Sequence, residues 1–170
     1  MKDKRWIVQN NYDRNEVEKL ATELNVDKVI ATLLVERGIT TFEKAREFFR
    51  PSLDYLHDPF LMKDMDRAIL RVNRAIDNNE KILVYGDYDV DGVTATTILK
   101  ETLEMMGFLE VMTMLPDRFL DGYGMSKRLV ERVKKEGVKL VVTVDCGSNN
   151  PEIITELALS GIEVVVTDHH

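Results

Sequence analysis

Four short apolar runs rich in valine and isoleucine recur in the second part of the chain, at residues 81–85, 110–115, 139–144 and 162–167. Between them lie stretches with apolar positions at helical spacing, at about 93–106, 125–136 and 151–160. The runs begin 29, 29 and 23 residues apart, the length of one strand–helix unit. This alternation predicts an α/β fold, a parallel sheet with helices on both faces, and leaves the strand order open.

The first part of the chain has a helical pattern instead. Residues 13–24 and 27–36 carry apolar positions at helical spacing, and Thr40 with Glu43 predicts a capping box for a third helix. A connector rich in proline and aromatic residues then leads to a further helix near 65–77. We therefore predict a small helical leader at residues 1–52 and an α/β domain at 53–170.

Composition narrows the class of protein. The chain has 170 residues, 44% of them hydrophobic, and a net charge of −7. This composition excludes a mainly disordered chain and a protein that binds nucleic acid simply by being basic. Residues 1–50 carry 10 basic and 9 acidic side chains, so residues 51–170 carry the remaining 13 and 21. The acidic excess is therefore in the predicted α/β domain, where a cation would be sought.

A single cysteine, Cys146, cannot form an internal disulfide and offers no thiolate cluster for zinc. The charged N-terminus and the absence of an 18-residue apolar run give no support for secretion or a membrane span. We expect a cytoplasmic protein with no membrane partner. The methionines Met105, Met106, Met112 and Met114 are expected to fill the core.

Each predicted strand is followed at once by a polar loop that contains acid. The loops hold Asp87, Asp89 and Asp91, then Pro116-Asp117-Arg118, then Asp145, then Asp168-His169-His170. Ligands of open parallel sheets bind beyond the carboxyl ends of the strands, so these loops should meet at one edge. Each pair of close carboxylates would cost about 4 kcal/mol at an effective dielectric of about 20. A divalent cation is the simplest compensation.

Oxygen ligands with imidazole and no thiolate suit Mg²⁺ or Mn²⁺, and zinc is a less natural choice. The carboxylates outnumber the needs of one ion, which favours a two-ion site and metal-assisted phosphoester hydrolysis. Taken singly, the acidic loop could be a solvated turn and His169-His170 an exposed pair. An EF-hand is excluded because Ile98 stands where its glutamate would be.

Arg118 and Tyr123 lie in the second of these loops. The guanidinium could bind a phosphate, and the tyrosine ring could stack on a base or sugar. The alternative is a surface turn with a solvated arginine.

Four motifs in order resemble those of the DHH phosphoesterase superfamily: GDYDVDG at 86–92, PDR at 116–118 leading to GYG at 122–124, VDCG at 144–147, and TDHH at 167–170. The form of the first motif and the leader are similar to the RecJ branch, exonucleases specific for single-stranded DNA that work from the 5′ end. The resemblance covers nearly the whole chain.

This resemblance implies a two-ion Mn²⁺ or Mg²⁺ centre that hydrolyses single-stranded DNA in recombination and repair. It makes Asp89, Asp91, Asp145 and His169 metal ligands, with Asp145 bridging the ions. It places Asp87 and Asp168 as ligands or as residues that orient ligands, His170 near the scissile phosphate, and Arg118 at a substrate phosphate.

RecJ-like proteins continue well beyond the His-His motif, so we expect this chain to be an N-terminal fragment whose activity alone is in doubt. Two alternatives remain open. One is a DHH phosphodiesterase acting on short oligonucleotides or cyclic dinucleotides, and the other is a non-catalytic binding module. Repair-protein partners are not indicated by the sequence.

Overall fold

The structure, a computed structural model, describes Arg5, Ile7 and residues 11–170. The chain divides into two compact units, Met1–Pro59 and Phe60–His170. The other residues of the charged N-terminus, which gave no support for a targeting segment, lie outside the described residues. Within the described part, no helix is long and apolar enough to cross a membrane.

The first unit is helical. It contains α1 (Arg14–Leu24), α2 (Lys28–Val35) and α3 (Phe42–Phe49), followed by a short 3₁₀ turn at Leu53–Tyr55. Apolar residues of α1 and α2, among them Leu20, Ala31 and Leu34, form its core. The predicted capping box is wrong by one residue, because Thr41 is the N-cap of α3 and its side chain accepts a hydrogen bond from the Lys44 N–H.

The second unit alternates helices and strands. Its elements are α4 (Met65–Asp77), β1 (Ile82–Gly86), α5 (Val90–Met105), β2 (Val111–Met114), α6 (Lys127–Glu136), β3 (Leu140–Val144), α7 (Pro151–Leu159) and β4 (Glu163–Thr167). All strand pairs are parallel, in the order β2-β1-β3-β4. The central strands β1 and β3 are buried at every position.

Helices cover both faces of the sheet, which confirms the predicted fold class. On one face, alternate residues of β1 and β3 such as Leu83 and Val141 pack with Leu129 of α6 and Leu157 of α7. On the other face, Ile82, Val84, Leu140 and Val142 of the same strands pack with apolar residues of α4 and α5. The two-residue period of a strand thus builds two cores from one sheet.

Two details differ from the predictions. Met105 and Met106, expected in the core, are 88% and 63% exposed at the end of α5. Met112 and Met114, in β2, are partly buried and pack against the core residues on one face of the sheet, as expected. Helix α5 also begins at Val90 instead of about residue 93. The Asp89 side chain caps it by accepting a hydrogen bond from the Gly92 N–H at 3.0 Å.

Candidate metal centre

The loops beyond the carboxyl ends of the strands meet, as the parallel topology predicts. The Tyr123 hydroxyl, after β2, lies 3.2 Å from Nδ1 of His170, after β4. The Ser148 N–H, after β3, donates to Oδ2 of Asp168 at 2.9 Å. Nε2 of His169 lies 2.7 Å from Oδ1 of Asp145. Side chains from separate parts of the chain therefore share one small volume.

Three potential metal ligands form the centre of this cluster. Asp145, His169 and His170 each offer one ligand atom, and these atoms lie within 4.8 Å of one another. The carboxylate of Asp145 is nearly buried, and its backbone has a φ of 62° in the left-handed region. Non-glycine residues in that region cost free energy and cluster at functional sites. The end of β3 thus presents Asp145 in a specialised conformation.

Asp89 brings a second carboxylate to the cluster. Its pKa is lowered first by the backbone N–H of Gly92, and then by other contacts that include the Asp145 carboxyl and the charge of His170. Asp91 lies in the exposed first turn of α5, and its backbone N–H also lowers the pKa of Asp89. The capping turn that starts α5 therefore keeps Asp89 ionised beside Asp145.

Asp87, at the end of β1, is 2% exposed. Its Oδ1 atom is buried and has no hydrogen-bond partner among the described residues. A buried carboxylate oxygen without a donor is costly unless a cation or proton compensates it. A divalent cation bound beside Asp145, His169 and His170 would compensate this oxygen, so the donor set is of the kind that fits such an ion.

Asp168 holds His170 in place. Its Oδ1 accepts a hydrogen bond from the His170 N–H at 3.0 Å and lies 2.9 Å from Nδ1 of the same residue. Burial opposes ionisation of Asp168, yet the hydrogen bonds from Ser148 and His170 lower its pKa well below the usual range. The Asp168 contact in turn raises the pKa of His170. Asp168 therefore orients His170.

The structure places Arg118 and Tyr123 at the edge of this cluster. Tyr123 is half-exposed, and burial together with the charges of Asp168 and Asp87 raises its pKa. The Arg118 guanidinium is exposed and lies over the ring of Tyr88, with Cζ 4.5 Å from the ring centroid. Tyr88 was not singled out from the sequence, although its position between Asp87 and Asp89 indicated that it would lie near the metal centre.

Asn150 was also missed. Its Oδ1 accepts a hydrogen bond from the Met125 N–H at 3.0 Å, and so joins the loop after β3 to the loop after β2. Gly124 has a φ of 81°, and a Cβ there would lie 2.5 Å from the same Oδ1 atom. Below them, the buried Tyr85 hydroxyl donates to the Gly124 carbonyl at 2.9 Å. These contacts fix the backbone next to Tyr123.

Comparison with known proteins identifies the family of the chain. The family model described as "DHH family, N-terminal domain" matches residues 81–170, just over half of the chain. The single-stranded-DNA-specific exonuclease RecJ of Bacillus subtilis is 39% identical over 169 residues, which cover 98% of this chain and 21% of that protein. RecJ of Dickeya dadantii is 34% identical over 88% of this chain and 26% of its own length.

Solved structures give the same result. A crystal structure of exonuclease RecJ bound to manganese has a TM-score of 0.59 and 38% identity, over 64% of this chain and 28% of that one. RecJ from Thermus thermophilus in complex with Mn²⁺ has a TM-score of 0.62 and 31% identity, over 93% of this chain and 21% of that one. The matches thus cover between 21% and 28% of these proteins. The family match, the ordered motifs and the shared fold show that the chain belongs to the DHH family.

Proposed function

We propose that this chain carries the metal-binding part of a RecJ-like exonuclease, which hydrolyses single-stranded DNA from the 5′ end in recombination and repair. The observation that carries the proposal is the cluster of Asp145, His169 and His170, with their ligand atoms within 4.8 Å. The similarity to RecJ over 98% of the chain supports it. The chain spans 21% of that relative, so the activity of the whole protein is part of the proposal.

Two divalent ions, Mn²⁺ or Mg²⁺, are the proposed cofactors. The ions would be held by Asp89, Asp91, Asp145 and His169. The Oδ1 atom of Asp87, which has no hydrogen-bond partner among the described residues, would bind an ion directly or accept a hydrogen bond from a group that does. When bound, such ions supply Lewis-acid stabilisation of the negative charge on phosphodiester oxygens. The two RecJ structures described above are bound to manganese, which supports this choice.

The remaining residues act on the substrate. His170 lies in the same cluster, and Asp168 contacts its Nδ1 atom, so its other ring nitrogen, Nε2, would face the scissile phosphate beside the ions. Arg118 would bind a phosphate through its in-plane N–H groups. Tyr123 would stack on a base or sugar of a single strand.

The lone buried Cys146 supports a cytoplasmic location.

A metal-binding test comes first. Millimolar Mn²⁺ should raise the melting temperature by about 5–10 °C, because a ligand at 100 times its Kd stabilises by about 2.7 kcal/mol. Asp145→Asn should abolish most of this rise, and Asp77→Asn, an exposed carboxylate at the end of α4, should keep it. An unchanged melting curve of the unmodified chain would count against an assembled metal centre.

Activity is tested with the same variants. If the chain is active by itself, it should release mononucleotides from 5′-phosphorylated single-stranded DNA with Mn²⁺, and Asp145→Asn should abolish that release. Cleavage of a dinucleotide without cleavage of a long strand would favour the phosphodiesterase alternative. Mn²⁺ binding without any cleavage would leave a metal-binding module that needs further polypeptide for catalysis.

A further inference from the structure

Arg118 and Tyr88 form a stacked pair at the edge of the candidate metal centre. The guanidinium carbon lies 4.5 Å from the centroid of the Tyr88 ring. Among the described residues, Arg118 forms no hydrogen bond or ion pair, although it follows Asp117 and lies beside a loop with three further aspartates. An arginine among carboxylates that stacks on a ring instead keeps its in-plane N–H donors available to an external anion.

The backbone of Arg118 is fixed independently of its side chain. Oδ1 of Asp117 accepts hydrogen bonds from the N–H groups of Phe119 and Leu120, at 2.8 and 3.1 Å. Oδ2 of Asp121 accepts from the Asp117 N–H at 2.7 Å and pairs with Arg128. The loop is therefore closed on itself, and the long side chain of Arg118 is the part that still needs to be held.

Tyr88 is well placed to hold it. It follows the buried Asp87, which comes directly after β1, and precedes Asp89, the N-cap of α5, so its backbone is anchored on both sides. Its ring is half-buried. Stacking on a fixed ring removes rotamers of the arginine before any ligand arrives, which lowers the entropy cost of binding.

We infer that Tyr88 is a positioning residue, whose ring holds the Arg118 guanidinium toward a phosphate group of a nucleic-acid strand at the metal centre. This inference deepens the proposed function and rests on it. Tyr88 acts through Arg118 and has no direct part in the chemistry. The aromatic ring is the required feature, so phenylalanine should replace tyrosine and leucine should not.

The first readout is independent of activity. NMR of labelled arginine side chains should show a ring-current shift of the Arg118 Nε–H and Cδ protons. The shift should persist in Tyr88→Phe and disappear in Tyr88→Leu, whereas Tyr55→Leu, a half-exposed tyrosine of the first unit, should keep it. Absence of the shift in the unmodified chain, or its persistence in Tyr88→Leu, would overturn the inference.

The second readout is the affinity for single-stranded oligothymidylate with Mn²⁺. Tyr88→Leu should raise Kd and KM by about 3- to 30-fold, the range expected of a cation–π contact, with little change in kcat. Tyr88→Phe should behave like the unmodified chain. In an Arg118→Ala background, Tyr88→Leu should have no further effect, because the ring then has nothing to hold.

Other results contradict the inference in distinct ways. An equal loss of affinity in the Arg118→Ala background would mean that the ring contacts the ligand directly. Loss of the Mn²⁺-induced rise in melting temperature in Tyr88→Leu would mean that the ring supports the metal centre instead. A stacked Arg118 in a chain that binds Mn²⁺ but no oligothymidylate would refute the nucleic-acid substrate itself, and the inference with it.

Discussion

Gly92 lies where the first turn of α5 comes closest to the end of β1. A Cβ atom at this position would be 2.4 Å from both the backbone N and O of Asp87. In an ordinary helix, Gly→Ala stabilises by up to about 1 kcal/mol. Here the clash should dominate, and Gly92→Ala should lower the free energy of unfolding by about 1–3 kcal/mol, measured by urea denaturation.

Thr97→Ala, at an exposed position of the same helix, is the matched control and should change stability by less than about 0.5 kcal/mol. A stabilised Gly92→Ala protein would mean that α5 can move away from β1 without cost. In that case the capping turn would not be a rigid support for Asp89.

Tyr85 is buried below the loop that carries Tyr123, and its hydroxyl donates to the Gly124 carbonyl. Tyr85→Phe leaves that buried carbonyl without this donor, which should cost about 1–2 kcal/mol in urea denaturation. Tyr55→Phe, at a half-exposed position, should cost less than about 0.5 kcal/mol. Equal effects of the two substitutions would show that the Gly124 carbonyl finds another partner.

Among the elements, the loop between β2 and α6 makes a contribution to stability that depends on pH. Burial opposes ionisation of Asp121, yet the hydrogen bond from the Asp117 N–H and the ion pair with Arg128 lower its pKa. A carboxylate with a lowered folded-state pKa stabilises fully above its unfolded pKa of about 3.9, and this stabilisation is lost as the pH falls further.

Asp121→Asn should therefore lower the melting temperature at pH 7, with a loss of about 1 kcal/mol. The difference from the unmodified chain should stay constant down to about pH 5 and shrink below about pH 4, as thermal melts across this range would show. A difference that is the same at pH 3 and pH 7 would mean that the charge of Asp121 does not contribute.

The elements themselves were largely predictable, because strands and helices of the second unit have different apolar periods. The start of α5 was not, since Asp87, Asp89 and Asp91 suggest a loop and only the geometry shows that Asp89 caps a helix. The exposure of Met105 and Met106 was not predicted either, because it depends on where the other end of α5 lies. A methionine side chain favours burial, but it is buried only where the structure places other apolar residues around it, and the end of α5 lies outside such surroundings.

At the scale of the whole molecule, the net charge of −7 opposes binding of nucleic acid. Binding of a single-stranded oligonucleotide should therefore require divalent ions, and a chelator should abolish it in fluorescence anisotropy. Sodium chloride at matched ionic strength is the control and should not restore binding, because screening only weakens contacts to phosphate. Tight binding in the chelator would place the nucleic-acid contacts away from the acidic loops.

The meeting of the four loops was predictable, because parallel strands place their carboxyl ends at one edge. The division of work inside the site was not. Asp168 holds His170, one oxygen of Asp87 has no partner among the described residues, and Arg118 stacks on Tyr88. All three depend on side-chain directions that the packed structure sets. The sequence indicates which groups are available, and tertiary packing decides which of them face each other.

Cys146 lies under the candidate centre, fully buried, with Sγ 3.7 Å from the Tyr85 carbonyl oxygen. Burial, reinforced by the carboxylates of Asp87, Asp168 and Asp145, raises the pKa of its thiol to about 12. The native thiol is therefore inert, since only a thiolate attacks a thiol reagent. The rate at which a thiol reagent labels Cys146 would therefore report how often the loops of the candidate centre open. The single cysteine is thus a kinetic probe of local opening at the site.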